Sequence, residues 1–367
     1  MLRTVRRHAS VLLAGVALAT LSFAPAVSAG TSAGAVYAIT NSPAGNAVIA
    51  WNRSADGSLS YQGTFPTGGA GSGAGLGSQG AVTLNGSHTL LFAVDAGSGE
   101  IASFRVGKDG LDLADRVSSG GSLPISVAVF DDLVYVLNAG TPNNVSGFRV
   151  DDQGDLTAID ASTRPLSEDS TGPAQVGFSA DGSTVVVTEK ATNRIDTYAV
   201  GPDGRLGNPI VHASAGPTPF GFAISQRNTL LVSEAGAGGG ASSYALGPDA
   251  GLAVTSSNVM TGQRAACWTV LTRNGRFGYV TNAGTGNISG FRLDADGTAT
   301  LLDADGVTAA TGGNPTDAAV SLGSQYLYAR VSALGAIAIF SIGGDGSLTA
   351  LPSLTGTPNG LAGLAGY

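Results

Sequence analysis

Cysteine, histidine and charge are all scarce in this 367-residue chain. The single cysteine, Cys267, excludes any disulfide within the chain. Three histidines, His8, His88 and His212, are too few and too scattered for a multi-histidine metal centre. Only 12% of residues are charged, and 18 Lys and Arg stand against 26 Asp and Glu, a net charge of −8. Phosphate backbones and anionic membranes need clustered Lys and Arg, so nucleic acid and anionic lipid are excluded as partners. No apolar run beyond residue 30 has the length of a transmembrane helix. Neither a nucleophilic-serine motif nor a phosphate-cradling glycine loop before a helix is present, so no cofactor is expected.

The start of the chain reads as an export signal. Arg3, Arg6 and Arg7 precede an apolar stretch from Ala9 to Phe23, and Val27-Ser28-Ala29 offers small residues for cleavage before Gly30. The Arg6-Arg7 pair leaves general and twin-arginine export both open. Residues 1–29 are thus expected to be removed and residues 30–367 to form one secreted, monomeric domain. Without the three signal arginines the balance is 15 basic to 26 acidic residues, or −11.

Glycine is abundant, at 56 residues, and with 43% apolar content points to tight turns between strands. A repeat then settles the architecture. An aromatic recurs at Trp51, Phe104, Phe148, Tyr198, Tyr244, Phe291 and Phe340, at steps of 53, 44, 50, 46, 47 and 49. A turn glycine follows at Gly57, Gly110, Gly154, Gly204, Gly251, Gly297 and Gly346, each with an Asp one or two positions before it. The aromatic fills the wedge between neighbouring sheets; Asp-Gly supplies the left-handed residue of a hairpin. Asp294, Asp296 and Asp151-Asp152 could suggest calcium, but the turn reading also explains the glycine in every unit. Units of this length are too long for β-helix coils and too short for sandwiches of roughly 80–100 residues. The expectation is an all-β fold, a seven-bladed β-propeller of four-stranded antiparallel blades. Its first blade lacks an inner strand, which Asn359–Tyr367 is expected to supply, closing the ring.

Loops between second and third strands begin at Asn41, Asp95, Asn138, Glu189, Glu234, Asn282 and Arg330, a polar set expected at the channel mouth. Equally, such residues cap strands and satisfy loop amides. Alignment of the inner strands puts Gln79, Ile125, Ala174, Phe220, Cys267, Thr316 and Asn359 in one layer. Gly80, Ser126, Gln175, Gly221, Trp268, Asp317 and Gly360 form the next. Gln175, Trp268 and Asp317 reach furthest; Trp268 either stacks on a ligand ring or plugs the channel. Cys267 has no base beside it in the sequence and reads as inert. His88 and His212 fall at an opposite-face turn and on an outer strand. The run "GGAGSGAGLG" from Gly68 reads as a flexible interblade loop or lid.

The segments "GPAQVGFSADGSTVVVTE", ending at Glu189, and "TPFGFAISQRNTLLVSE", ending at Glu234, together with "QRAACWTVLTRNGRFGYVTN", ending at Asn282, resemble the lactonase-type seven-bladed propellers. That family includes 6-phosphogluconolactonases and carboxymuconate-cyclising enzymes. The resemblance implies a lactone or related substrate at the channel mouth. The family's Pro-Arg-His opening of an inner strand is replaced here by Pro173-Ala174-Gln175 and Ala266-Cys267-Trp268, so a histidine-assisted mechanism and phosphosugar binding are not implied.

The reading that follows is a lactone hydrolase or cyclising enzyme acting on an uncharged sugar or aromatic lactone. Glu189 or Glu234 activates water and Arg264 or Arg330 stabilises the oxyanion. Gln79, Asp95, Asn138, Gln175, Trp268, Asn282 and Asp317 contact substrate. The alternatives are a noncatalytic propeller binding a glycan, peptide or extracellular partner, and a structural envelope protein. All four candidate catalytic residues are expected to converge on one mouth.

Overall fold

A computed structural model describes residues 32–367 of the chain. The expected signal peptide lies outside these residues. Seven antiparallel sheets of four principal strands stand around an axis. Their inner strands are Ala362–Gly366 in blade 1, Val82–Leu84, Pro124–Phe130, Pro173–Phe178, Pro219–Ile224, Ala266–Leu271, and Pro315–Val320 in blade 7. Four of them open on proline, which is tolerated there because the first residue of a strand need not donate to the ladder.

The second strands are almost wholly buried, with patterns such as Gly34–Ile39 and Leu90–Asp95 in which every residue is inside. Each has a neighbouring blade on both faces, so the sequence runs apolar rather than alternating. Outer strands, such as Leu59–Pro66, alternate with solvent. All seven repeat aromatics are buried at 3% exposure or less.

Six of the seven hairpin glycines have positive φ, from +82° at Gly204 to +137° at Gly110. Gly251 is extended instead, and Asp249 and Ala250 take the left-handed positions at 53° and 58°. These hairpins also join the blades. A hydroxyl of one blade donates to a hairpin carbonyl of the next at six of the seven seams. Ser103 reaches Gly154, Tyr135 Gly204, Thr197 Ala250, Thr255 Gly297, Tyr279 Gly346, and Tyr328 Gly57.

The ring closes as the repeat implies. Ala362–Gly366 pairs antiparallel with Gly34–Ile39, and so completes the sheet that holds Ala47–Arg53 and Leu59–Pro66. The paired segment is shorter than the expected Asn359–Tyr367. Leu361 and Leu364 are buried with Trp51 and Tyr328 at the seam to blade 7, and Arg53 Nε donates to the Tyr367 carbonyl at 3.1 Å. Among the described residues no helix is long and apolar enough to cross a membrane.

Candidate functional site

Blades stand like pages about the axis, so side chains on a sheet face point into the seams between blades and not into the channel. This decides the fate of the polar strand ends. Glu189 is fully buried between blades 3 and 4, where its carboxylate accepts from Ser167 N at 2.9 Å and from the Ser167 and Thr192 hydroxyls at 2.5 Å each. Asp196 sits against it, and burial together with the Glu189 carboxylate holds Asp196 well above the usual carboxyl range. Glu234 is 1% exposed between blades 4 and 5, bonded to Ser214 Oγ at 3.0 Å, and burial pushes it up to about 7.

Asp95 repeats this pattern, accepting from Thr67 Oγ1 at 2.7 Å and Asn46 Nδ2 at 2.8 Å of blade 1. Asn138 donates to the Ser119 carbonyl of blade 2 at 3.2 Å, and Asn282 to Asn287 and Ser289 of its own blade at 2.8 Å each. These strand ends therefore bind blade to blade or loop to strand. They do not form the lining of a common cavity. Arg264 is exposed and donates to the Gly284 carbonyl at 3.1 Å, so the four expected catalytic residues are not brought together.

Arg330 is the exception. In the register of the other blades its place is taken by Val331, which pairs with Pro315 as Glu189 pairs with Pro173. One residue earlier on the strand means the opposite sheet face. Arg330 consequently faces the seam toward the segment leading into blade 1 and reaches the edge of the channel mouth, where Nη1 donates to Thr316 Oγ1 at 2.6 Å and Nη2 to the Asn359 carbonyl at 3.2 Å. Its Nε–H has no partner, and burial lowers the guanidinium's affinity for its proton while the neighbouring Asp317 opposes that effect. Asp317, on the inner strand of blade 7, is 1% exposed; its Oδ1 accepts from Ala318 N at 2.8 Å and its Oδ2 is unpartnered. Burial pushes this carboxyl up to about 8.

Arg330 lines a cavity of about 420 Å3 at the mouth, together with Trp268, Thr316, Asn359 and residues 75–78 of the glycine-rich loop. That loop is tethered. Asn41 holds Ser72 and Ala74 through its side-chain amide, and Lys190 donates from blade 4 to the Gly77 carbonyl. Trp268 forms the far wall, its Nε1–H donating to the Ser78 carbonyl at 2.8 Å and its ring 5.1 Å from Phe220. Phe220, Cys267, Trp268 and Ala174 fill the rest of the mouth as an apolar plug. Burial pushes the Cys267 thiol up to about 12, in keeping with an inert group.

Below the cavity the channel is crossed by a septum. Gln79 acts like a short strand, accepting from Thr269 N at 2.9 Å and donating to Thr269 O at 2.7 Å, so that blade 2 is bound to blade 6. Gln175 does the same with Phe222 of blade 5, at 2.7 and 3.0 Å. Both amides expected to contact substrate are thus occupied by main chain.

Comparison with known proteins agrees with this architecture. Residues 141–267 match the family described as lactonase, 7-bladed beta-propeller. A candidate 6-phosphogluconolactonase from Bacteroides uniformis is similar in structure, with a TM-score of 0.73 and 16% identity over 90% of this chain and 98% of the other. A Lactobacillus plantarum protein gives 0.74 and 17%, over 91% and 99%. The periplasmic gluconolactonase of Pseudomonas aeruginosa gives 0.69 and 17%, over 89% and 98%. At these identities the solved structures establish the fold. No curated protein matches the chain.

Proposed function

We propose that this seven-bladed β-propeller, which matches the lactonase family over residues 141–267, binds and opens an uncharged sugar or aromatic lactone in the mouth cavity beside Arg330. The observation that carries this reading is a buried guanidinium, its Nε–H without a partner among the described residues, at the wall of a cavity of about 420 Å3. A lactone carbonyl gains negative charge when water attacks it, and a fixed guanidinium in a desolvated site stabilises that charge. Trp268 offers its ring to the apolar face of a sugar or to an aromatic lactone. Asp317, whose carboxyl burial pushes up to about 8, does not line the cavity; in electrostatic contact with Arg330, it is assigned to position the guanidinium. Glu189 and Glu234 are assigned to the seams. Export of the protein is part of the same proposal and rests on residues 1–29.

A second reading, binding without turnover, is favoured by one observation. Neither a carboxylate nor an imidazole is among the residues that line the cavity itself. Proton release from a panel of aldono- and aryl lactones, followed at constant pH, separates the two. Hydrolysis that falls about 100-fold or more in R330Q supports the enzyme. Lactone binding that R330Q abolishes, without turnover by the parent protein, supports the second reading.

A further inference from the structure

The other mouth of the ring opens on a cavity of about 560 Å3 to which all seven blades contribute, well within the size range of small-molecule sites. A recess of about 310 Å3 adjoins it and shares His88 and Gln226 with it. The septum of Gln79, Gln175 and Trp268 separates this mouth from the cavity at Arg330.

Most polar groups at this mouth are committed. The amides of Gln79 and Gln175 hold main chain, Asn85 caps its own turn, and Ser179 bonds Asp181. Four side chains make no hydrogen bond among the described residues: Thr83, Gln226, His88 and Arg273. Arg273 is exposed at the recess, and Arg227 flanks the turn that carries it, close to Gly275. His88 is fixed in position, its ring 4.9 Å from the Tyr367 ring and nearly parallel to it at 7°, with φ at 57°. A non-glycine residue held in that region marks a turn shaped by its surroundings.

Among the described residues no Asp or Glu lines the cavity or the recess, although acids outnumber bases in the chain by 26 to 18. Burial and the nearby Arg273 lower the basicity of His88, so at neutral pH the imidazole is an uncharged donor and acceptor. The positive charge at this mouth is therefore that of Arg273. A guanidinium without a protein partner presents a planar fork of donors that matches a carboxylate.

We propose that this mouth is a second ligand site, for a carboxylate-bearing small molecule of monosaccharide size, with Arg273 meeting the carboxylate and His88 and Gln226 meeting hydroxyls. The proposal is independent of turnover at Arg330. Calorimetric titration with glucuronate tests it, with glucose as the uncharged control of the same size. The expected result is saturable glucuronate binding, at least tenfold weaker for glucose and for R273Q, and unchanged in R330Q. Among the described residues Arg273 makes no side-chain bond, so R273Q is expected to keep its fold and its melting temperature. Three results each overturn the proposal: no saturable glucuronate binding, an R273Q affinity equal to that of the parent, or a loss confined to R330Q.

Discussion

Trp268 on blade 6 donates its indole N–H to the carbonyl of Ser78, on the segment leading into blade 2, across the channel at 2.8 Å. The bond makes one ring serve two ends, since the same indole is a wall of the mouth cavity and a strut of the septum. Replacing Trp268 with Phe keeps most of the apolar ring but leaves the Ser78 carbonyl without its donor. A buried acceptor so orphaned costs about 1–3 kcal/mol. The expected outcome is a melting temperature lower by several degrees, read by calorimetry.

Gln79 offers a sharper case, because both ends of its amide pair with Thr269. Gln79→Leu removes two bonds and strands a donor and an acceptor, with an expected loss of about 2–4 kcal/mol. Gln79→Glu replaces the donating NH2 with an oxygen facing the Thr269 carbonyl, so it is expected to be no better than Leu. Denaturant unfolding of the two variants checks the order.

The seam between blades 7 and 1 closes the ring. Tyr328 donates to the Gly57 carbonyl there at 3.0 Å, and Leu361 and Leu364 are buried beside it. Tyr328→Phe is expected to cost about 1 kcal/mol. Deleting residues 359–367 removes the inner strand of blade 1 and two leucines worth about 1.5–3 kcal/mol each, a large part of a domain's net stability. The deletion should aggregate or melt far below the full chain. A melt matching the full chain would show that the clasp contributes little.

Glu234 makes stability depend on pH. Its affinity for a proton is raised from 4.5 to about 7 in the fold, by burial first. The folded state thus binds the proton more tightly than the unfolded chain does. The contribution is fully present below about pH 4.5 and is lost as pH rises through 7. The span corresponds to a loss on the order of 3 kcal/mol. In Glu234→Gln that loss is absent, so the variant should gain on the parent between pH 5 and pH 8. Parallel melting curves for the two proteins over that range would contradict the assignment.

The blade count was legible because the aromatic and the hairpin glycine mark every unit independently, and the ring closure followed from an inner strand missing at one end. The site was less legible. Strand ends such as Glu189 and Glu234 are visible in the sequence, but the sheet face they occupy is not, and that face leads to a seam. Arg330 lies one residue out of step with those strand ends. Val331, not Arg330, pairs with the opening Pro315 of the inner strand, and only the pairing shows it. The septum was hidden for another reason. Gln79 and Trp268 each bond a partner 190 residues away, and no local pattern announces such a contact.

Lactone binding in the cavity beside Arg330 can be read from tryptophan fluorescence. Trp51 and Trp268 are the only tryptophans of the chain, and Trp51 is buried at 3% exposure in the seam of blade 1. In a W51F background the indole fluorescence reports on the cavity wall alone. Titration with a δ-lactam, the unhydrolysed analogue of a six-membered lactone, is the direct test. A saturable change in Trp268 emission is expected, with a midpoint that rises at least tenfold when R330Q is added. No change in emission, or the same midpoint with and without Arg330, would contradict it.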